Sequence, residues 1–161
     1  MNELVTRKQL ATFQVESFAN SDGMRVMIAE CLKIYAEAWE HGISGRSGAI
    51  FDPDVEVIVG MVASGVRRFV TARVDGEIVA MQHWIVVNDI ESRRRRIAHM
   101  TAIYKRSPEV CDTVEFIKFG IAAMRAAGAN NVIMQAYTGA KGLREKMEAA
   151  GAKVVEYVME A

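Results

Sequence analysis

Arg68-Phe69-Val70-Thr71-Ala72-Arg73-Val74-Asp75-Gly76-Glu77-Ile78-Val79-Ala80-Met81-Gln82-His83-Trp84-Ile85-Val86-Val87 is the stretch on which the fold turns. Apolar residues recur here with a period of two on both sides of Asp75-Gly76. Asp-Gly between two such runs favours a type I′ turn, which predicts a pair of antiparallel strands. Beyond it, Asn88 to Arg96 reads as a polar loop and Ile97 to Tyr104 as a third strand, so the centre of the chain is a meander. Ser107-Pro108-Glu109 then predicts a helix start, followed by Val110, Val114, Ile117, Ile121 and Met124 at steps of four and three and a stop at Gly128. Asn131 to Tyr137 predicts a short strand, Lys141 to Ala150 a helix with Leu143 and Met147 inward and Gly151 as its C-terminal cap, and Lys153 to Met159 a last strand.

On the N-terminal side of the hairpin, Asp52-Pro53 predicts the start of a helix with Val55, Ile58, Met61 and Val62 buried, ending near Gly65. Ser21-Asp22 predicts the cap of an earlier helix, whose stripe runs Met24, Met27, Ile28, Cys31, Leu32, Tyr35, Ala38 and Trp39 and which His41-Gly42 ends. Ala11 to Phe18 alternates as a half-buried strand should. The predicted order is β, α, α, β, β, β, α, β, α, β, in which a meander followed by strand, helix and strand implies a mixed sheet with helices on its faces.

Bulk properties exclude several function classes. The 161 residues suit one domain, residues 1–161, rather than two. A 51% hydrophobic chain with two prolines argues for a packed globule over a disordered one. Lys plus Arg equals Asp plus Glu at 20 each, so no global field draws the protein to nucleic acid or to an acidic membrane. The charged N-terminus, Met1 to Lys8, lacks the apolar run of a signal peptide, and no apolar stretch approaches the ~20 residues of a membrane span. The expectation is a cytoplasmic protein with no membrane partner. Cys31 and Cys111 fall in helical apolar patterns and are read as reduced core thiols.

The element order, together with the tail Asn131-Val132-Ile133-Met134-Gln135-Ala136-Tyr137 through Leu143-Arg144-Glu145-Lys146-Met147-Glu148-Ala149-Ala150-Gly151-Ala152, resembles the GNAT superfamily of N-acetyltransferases. The resemblance covers Arg68 to Met159 in motif and the whole chain in topology. It implies an α/β fold with a mixed, mostly antiparallel sheet flanked by about four helices. It also implies acetyl-CoA or another acyl-CoA as co-substrate and an amine acceptor on a small molecule, a protein or a nucleobase. The sequence departs from the family at its most informative motif, a glycine-rich turn whose backbone N–H groups bind the coenzyme pyrophosphate at a helix N-terminus. The matching stretch, Tyr104-Lys105-Arg106-Ser107-Pro108-Glu109, has no glycine, and Pro108 removes a donor. Ile103, Tyr104, Lys105, Arg106, Ser107 and Glu109 are the candidate cofactor-binding residues, with Lys105 and Arg106 supplying charge in place of backbone donors. The competing reading makes Lys105 and Arg106 a solvated turn and Ser107 a plain helix cap.

Acyl transfer to an amine needs a base, an oxyanion donor and an acid for the leaving thiolate. The resemblance places the acid at a tyrosine of the last helix, where this chain has Arg144, so Tyr137 is the nearest substitute. His83 and His99, on adjacent predicted strands, are candidate bases because imidazole titrates near neutral pH. Glu91, in the predicted loop between them, is a candidate to bind or deprotonate an amine. His41, His83 and His99 show no metal-ligand spacing, so no metal is expected. Arg93-Arg94-Arg95-Arg96 suits a phosphate, a nucleic-acid backbone or an acidic substrate, but lacks the interleaved aromatics of a single-strand binder. Two other readings stay open: a non-catalytic GNAT-like binding or structural protein using that arginine run, and a dimeric, ligand-binding regulator, for which a homodimer is the expectation. The acceptor is not legible, because loops such as Gly42 to Ile50 set it.

Overall fold

The central hairpin forms as its turn chemistry dictates. In the computed structural model, which describes residues 11–40, 50–135 and 141–153, Asp75 and Gly76 both take positive φ, 50° and 84°, as a type I′ turn requires. They join β2 (Arg67–Val74) to β3 (Glu77–Asn88). β1 (Thr12–Val15) pairs antiparallel with β2, and β4 (Arg96–Lys105) antiparallel with β3. β5 (Asn131–Met134) pairs parallel with β4, giving the sheet order β1-β2-β3-β4-β5. A parallel neighbour needs a crossover, and α3 (Thr113–Ala126) supplies it. α1 (Ser21–Ala38) and α2 (Val55–Ala63) pack on one face of the sheet; α3 and α4 (Lys141–Ala149) pack on the other.

Period-two alternation sends neighbouring residues to opposite faces, and both faces are buried. On one side Val70, Ala80, Trp84, Val86, Ala98 and Met100 meet Phe116, Ile117 and Met124 of α3 and Met147 of α4. On the other, Phe69, Ile78 and Met81 meet Met24, Ile28, Cys31 and Ile34 of α1 and Ile58 and Val62 of α2. Burying an aliphatic or aromatic side chain of this size stabilises by roughly 1.5–3 kcal/mol each before entropy is counted. One polar side chain sits inside the α3 face. Gln82 is wholly buried; its amide donates to the Phe116 carbonyl at 2.6 Å and its oxygen accepts from the Trp84 indole N–H at 2.9 Å. Gly120 leaves the room this pair needs, since a Cβ there would stand 1.9 Å from Gln82 Oε1.

β1 is held by charge as well as by pairing. The Glu16 carboxylate, 5% exposed, accepts from Arg73 Nε at 2.9 Å, from the Gln14 amide and from the Thr71 hydroxyl. Arg73 reaches on to Glu30 of α1 at 2.9 Å. Burial alone would raise the Glu16 pKa, but these hydrogen bonds and the Arg73 charge hold it below the ordinary carboxylate value.

Three predicted helix starts move. α1 is capped by Asn20, whose side chain accepts from Gly23 N, rather than by Ser21-Asp22. α2 is capped by Asp54, accepting from Val57 N, so Asp52-Pro53 precedes it. α3 begins at Thr113 under an Asp112 cap, five residues after the predicted start at Ser107-Pro108-Glu109. The cause lies in Lys105: its ammonium binds the carbonyls of Pro108 and Cys111 at 2.7 and 2.6 Å, holding this stretch as a loop, and Ser107 Oγ donates to Glu109 instead of capping. Cys111 therefore lies in a loop, half-buried, while Cys31 is a helical core thiol as expected. β1 is shorter than Ala11 to Phe18. The predicted helix end at His41-Gly42 and nearly all of the strand Lys153 to Met159 lie outside the described residues. Among the described residues no helix is long and apolar enough to cross a membrane.

Candidate functional site

β4 and β5 part company at one point. Their pairing runs from Ile97↔Asn131 to Met100↔Met134 and stops, while β4 continues along β3 to Lys105. A bulge sits at the parting: Trp84 pairs with Met100 and His83 with Ala102, which leaves Thr101 unopposed. Bulges bend a strand and re-aim its side chains. From Ala102 to Lys105, β4 is therefore bonded to β3 along one edge, and its other edge has no strand partner among the described residues. An extended, amide-bearing chain pairs with such an edge.

The exposed Thr101 hydroxyl meets His83 Nδ1 at 2.5 Å. His83 is buried, stacked on Phe69 with ring centroids 5.4 Å apart and tilted against Tyr35 at 5.6 Å. Burial, helped by the Arg67 charge, depresses its pKa to about 3. Such an imidazole is neutral at pH 7 and a weak proton acceptor, so its contact with Thr101 fixes the hydroxyl rather than storing a proton. His99 lies on the same face of the sheet, paired with Ile85, and its Nε2 is also sealed from solvent without a partner.

The loop after β4, read from the sequence either as a phosphate cradle or as a solvated turn, has its cations engaged within the protein. Lys105 is spent on the Pro108 and Cys111 carbonyls. Arg106 forms a fork with Glu37, at 2.8 and 3.1 Å, and lies 4.0 Å from Glu77. The Asp112 carboxylate occupies the N-terminus of α3, with Glu115 in its first turn and Glu109 just upstream. A diphosphate placed there would meet three carboxylates where the helix dipole calls for an anion already supplied. The open edge of β4 fits the pantetheine arm of an acyl-CoA; the loop does not fit its pyrophosphate.

The other predicted residues are scattered. Ile103 and Tyr104 lie on the open segment of β4, with Ser107 and Glu109 on the loop beyond it. Glu91 is exposed in the β3–β4 loop, its N–H donating to Asp89. That loop is at the opposite end of β4, about 30 Å from Lys105 at ~3.3 Å per strand residue. Arg93 to Arg96 share this far end: Arg95 pairs with Asp89 at 3.3 Å, while Asn130 bonds the Arg94 carbonyl and the Arg96 N–H. Tyr137 lies outside the described residues, and Arg144 pairs with Glu148. Sequence reasoning missed Thr101, whose polar side chain after Met100 was the one signal of a bulge, and Arg67, which the strand pattern passed over. Among the described residues no cluster of potential metal ligands occurs.

No protein-family profile and no curated protein sequence matches this chain. Solved structures do. An aminoglycoside acetyltransferase from an uncultured soil metagenomic sample superposes with a TM-score of 0.69 at 12% identity over 94% of each chain. The glucosamine-6-phosphate N-acetyltransferase of Arabidopsis thaliana gives 0.60 at 14% identity, covering 93% of this chain and 97% of that one. The ribosomal-protein-alanine N-acetyltransferase of Brucella melitensis gives 0.58 at 15%, covering 94% and 99%. The fold is therefore that of the GNAT acetyltransferases, as the resemblance implied.

Proposed function

We propose that this chain transfers an acyl group from a pantetheine thioester to an amine, with the donor's arm laid along β4 from Ala102 to Lys105. The observation that carries the reading is the edge of β4 beyond Met100, which has no strand partner among the described residues, with an exposed hydroxyl fixed at its start. The donor supplies an acyl carbon bonded to sulfur; the amine nitrogen displaces the thiolate, a C–N bond forming as the C–S bond breaks, and the proton shed by the amine returns to sulfur. Thr101 has the role of oxyanion donor: with His83 Nδ1–H donating to Oγ1, the hydroxyl hydrogen turns from its long 3.4 Å contact with the His83 carbonyl to the acyl carbonyl oxygen. His99 keeps the role of base on the same sheet face. Acetyl-CoA is the first donor to test, and the acceptor is an amine on a small molecule or a protein.

Calorimetric titration with acetyl-CoA and with S-acetylpantetheine, which lacks the nucleotide and its phosphates, tests this. Because the loop offers the pyrophosphate no cradle, the two ligands should bind within about threefold of each other. Binding of neither at millimolar concentration removes the donor reading and favours a non-catalytic protein on the same framework.

A further inference from the structure

The α1 face of the sheet holds a cavity of about 310 Å³ between α1, α2 and the start of β2. Tyr35, Trp39 and Phe51 form an aromatic wall, their ring centroids 5.7–6.5 Å apart. Arg67 lines the same space, and the exposed carboxylates of Asp52 and Asp54 stand on it. The volume lies at the lower end of the range for small-ligand sites, roughly 300–1,000 Å³.

Two neighbouring arginines, Arg67 and Arg68, both have an Nε sealed from solvent without a partner, and Arg67 is the one that lines this cavity. The guanidiniums of Arg25, Arg73 and Arg106 each hold a carboxylate at 2.6–2.9 Å. Arg67 is half-buried, its Nε is sealed from solvent without a partner, and no carboxylate pairs with it among the described residues. Its Cζ instead lies 5.4 Å from the Phe69 ring and 6.0 Å from the Tyr35 ring. Aromatic faces offset part of the cost of burying a cation, but a counter-ion is what such a group lacks. Burial lowers the Arg67 pKa, in line with an uncompensated charge.

We propose that this cavity binds a small α-amino acid with an aromatic or large apolar side chain: its carboxylate on Arg67, its side chain against Tyr35, Trp39 and Phe51, and its ammonium toward Asp52. Of the two carboxylates, Asp54 is already engaged with Val57 N as the α2 cap, which leaves Asp52 for the amine. Tyr35 belongs both to this cavity and to the ring cluster around His83, so the site adjoins the Thr101–His83 pair. That the bound amino acid is the amine acceptor rests on the acyl-transfer reading; that it binds does not.

Calorimetry on the full chain with L-phenylalanine, L-tryptophan and L-leucine tests the binding directly. Saturable binding of at least one is expected, with L-phenylalaninamide or the corresponding amide weaker by roughly tenfold or more, since it lacks the charged partner of Arg67. Arg67→Gln should abolish binding, and Asp52→Asn should weaken the amino acid but leave 3-phenylpropionate unchanged. No saturable binding by any of the three, or amides that bind as well as acids, overturns the proposal without reference to any variant's folding. Binding of the amino acid with no N-acylated product in the presence of S-acetylpantetheine keeps the site and removes only the acyl-transfer reading.

Discussion

Gly120→Ala and Gly60→Ala are the same chemical change at two helical glycines, and the structure assigns them opposite signs. At Gly120 the new methyl would stand 1.9 Å from Gln82 Oε1, 2.9 Å from its Cδ and 3.1 Å from Trp84 Cζ2. Gln82 must retreat by more than an ångström, which breaks its bonds to the Phe116 carbonyl and the Trp84 indole in a fully buried setting. Leaving buried polar groups unpaired costs ~1–3 kcal/mol each, overpacking about as much again, and alanine's helix propensity returns only about 1 kcal/mol. The net expectation is a loss of about 3–5 kcal/mol, a large share of the ~5–15 kcal/mol of a typical domain and roughly a 10 °C fall in Tm. Gly60 is exposed on α2 with nothing within 4 Å of its added methyl, so the same substitution there should stabilise by up to about 1 kcal/mol. Urea unfolding followed by circular dichroism reads both. Gly120→Ala within 1 kcal/mol of wild type, or Gly60→Ala as damaging as Gly120→Ala, refutes the packing argument.

Acid should act through His83 and Glu16 in overlapping windows, His83 first. The unfolded chain protonates His83 near its ordinary value of 6.5, whereas the native chain resists until about pH 3. Stability is therefore complete above pH 6.5 and falls by up to about 1.4 kcal/mol per pH unit below it; His83→Phe should flatten that limb in urea titrations across pH, and an unchanged slope contradicts the burial argument. Glu16, with its folded pKa lowered, contributes stability that is present above pH 4.5 and lost as pH falls through the folded value; Glu16→Gln should cost about 2–4 kcal/mol at pH 7 and flatten the profile below pH 4.5. Thr101→Val removes the hydroxyl at constant shape, so thiol release from an acyl thioester should slow by roughly ten- to a hundredfold with KM little changed; unaltered kcat removes Thr101 from the reaction. Lys105→Met should speed amide exchange across residues 106–112 while leaving acetyl-CoA affinity within about twofold, because the ammonium serves the loop's own carbonyls; a tenfold loss would show that it serves the ligand.

What the sequence made legible was what local chemistry decides. Asp75-Gly76 specified the turn because two adjacent positive φ values admit few residues, and the meander followed from alternation around it. The body of α3 was equally legible, but its start was not: Ser107 and Asp112 are both competent caps, and the choice falls to Lys105, whose side chain folds back onto carbonyls of the loop ahead of it. The bulge at Thr101 escaped because Ala98-His99-Met100-Thr101-Ala102 reads almost as well in either register. Tyr35 and Trp39 read as core because their spacing on α1 is that of a buried stripe; Phe51 and Arg67, brought in from distant parts of the chain, turn that end of the stripe into a cavity. Of the candidate site residues, Ile103 and Tyr104 lie on the segment of β4 beyond its pairing with β5, while the arginine run and Glu91 lie at the far end of the sheet.

Hydrogen exchange along β4, with and without S-acetylpantetheine, addresses the donor edge itself. Protection should appear on the peptide spanning Ala102 to Lys105 and be absent from the β2–β3 turn and the loop carrying Arg93 to Arg96. A saturating thioester that leaves residues 102–105 exchanging as before contradicts the assignment of that edge to the donor.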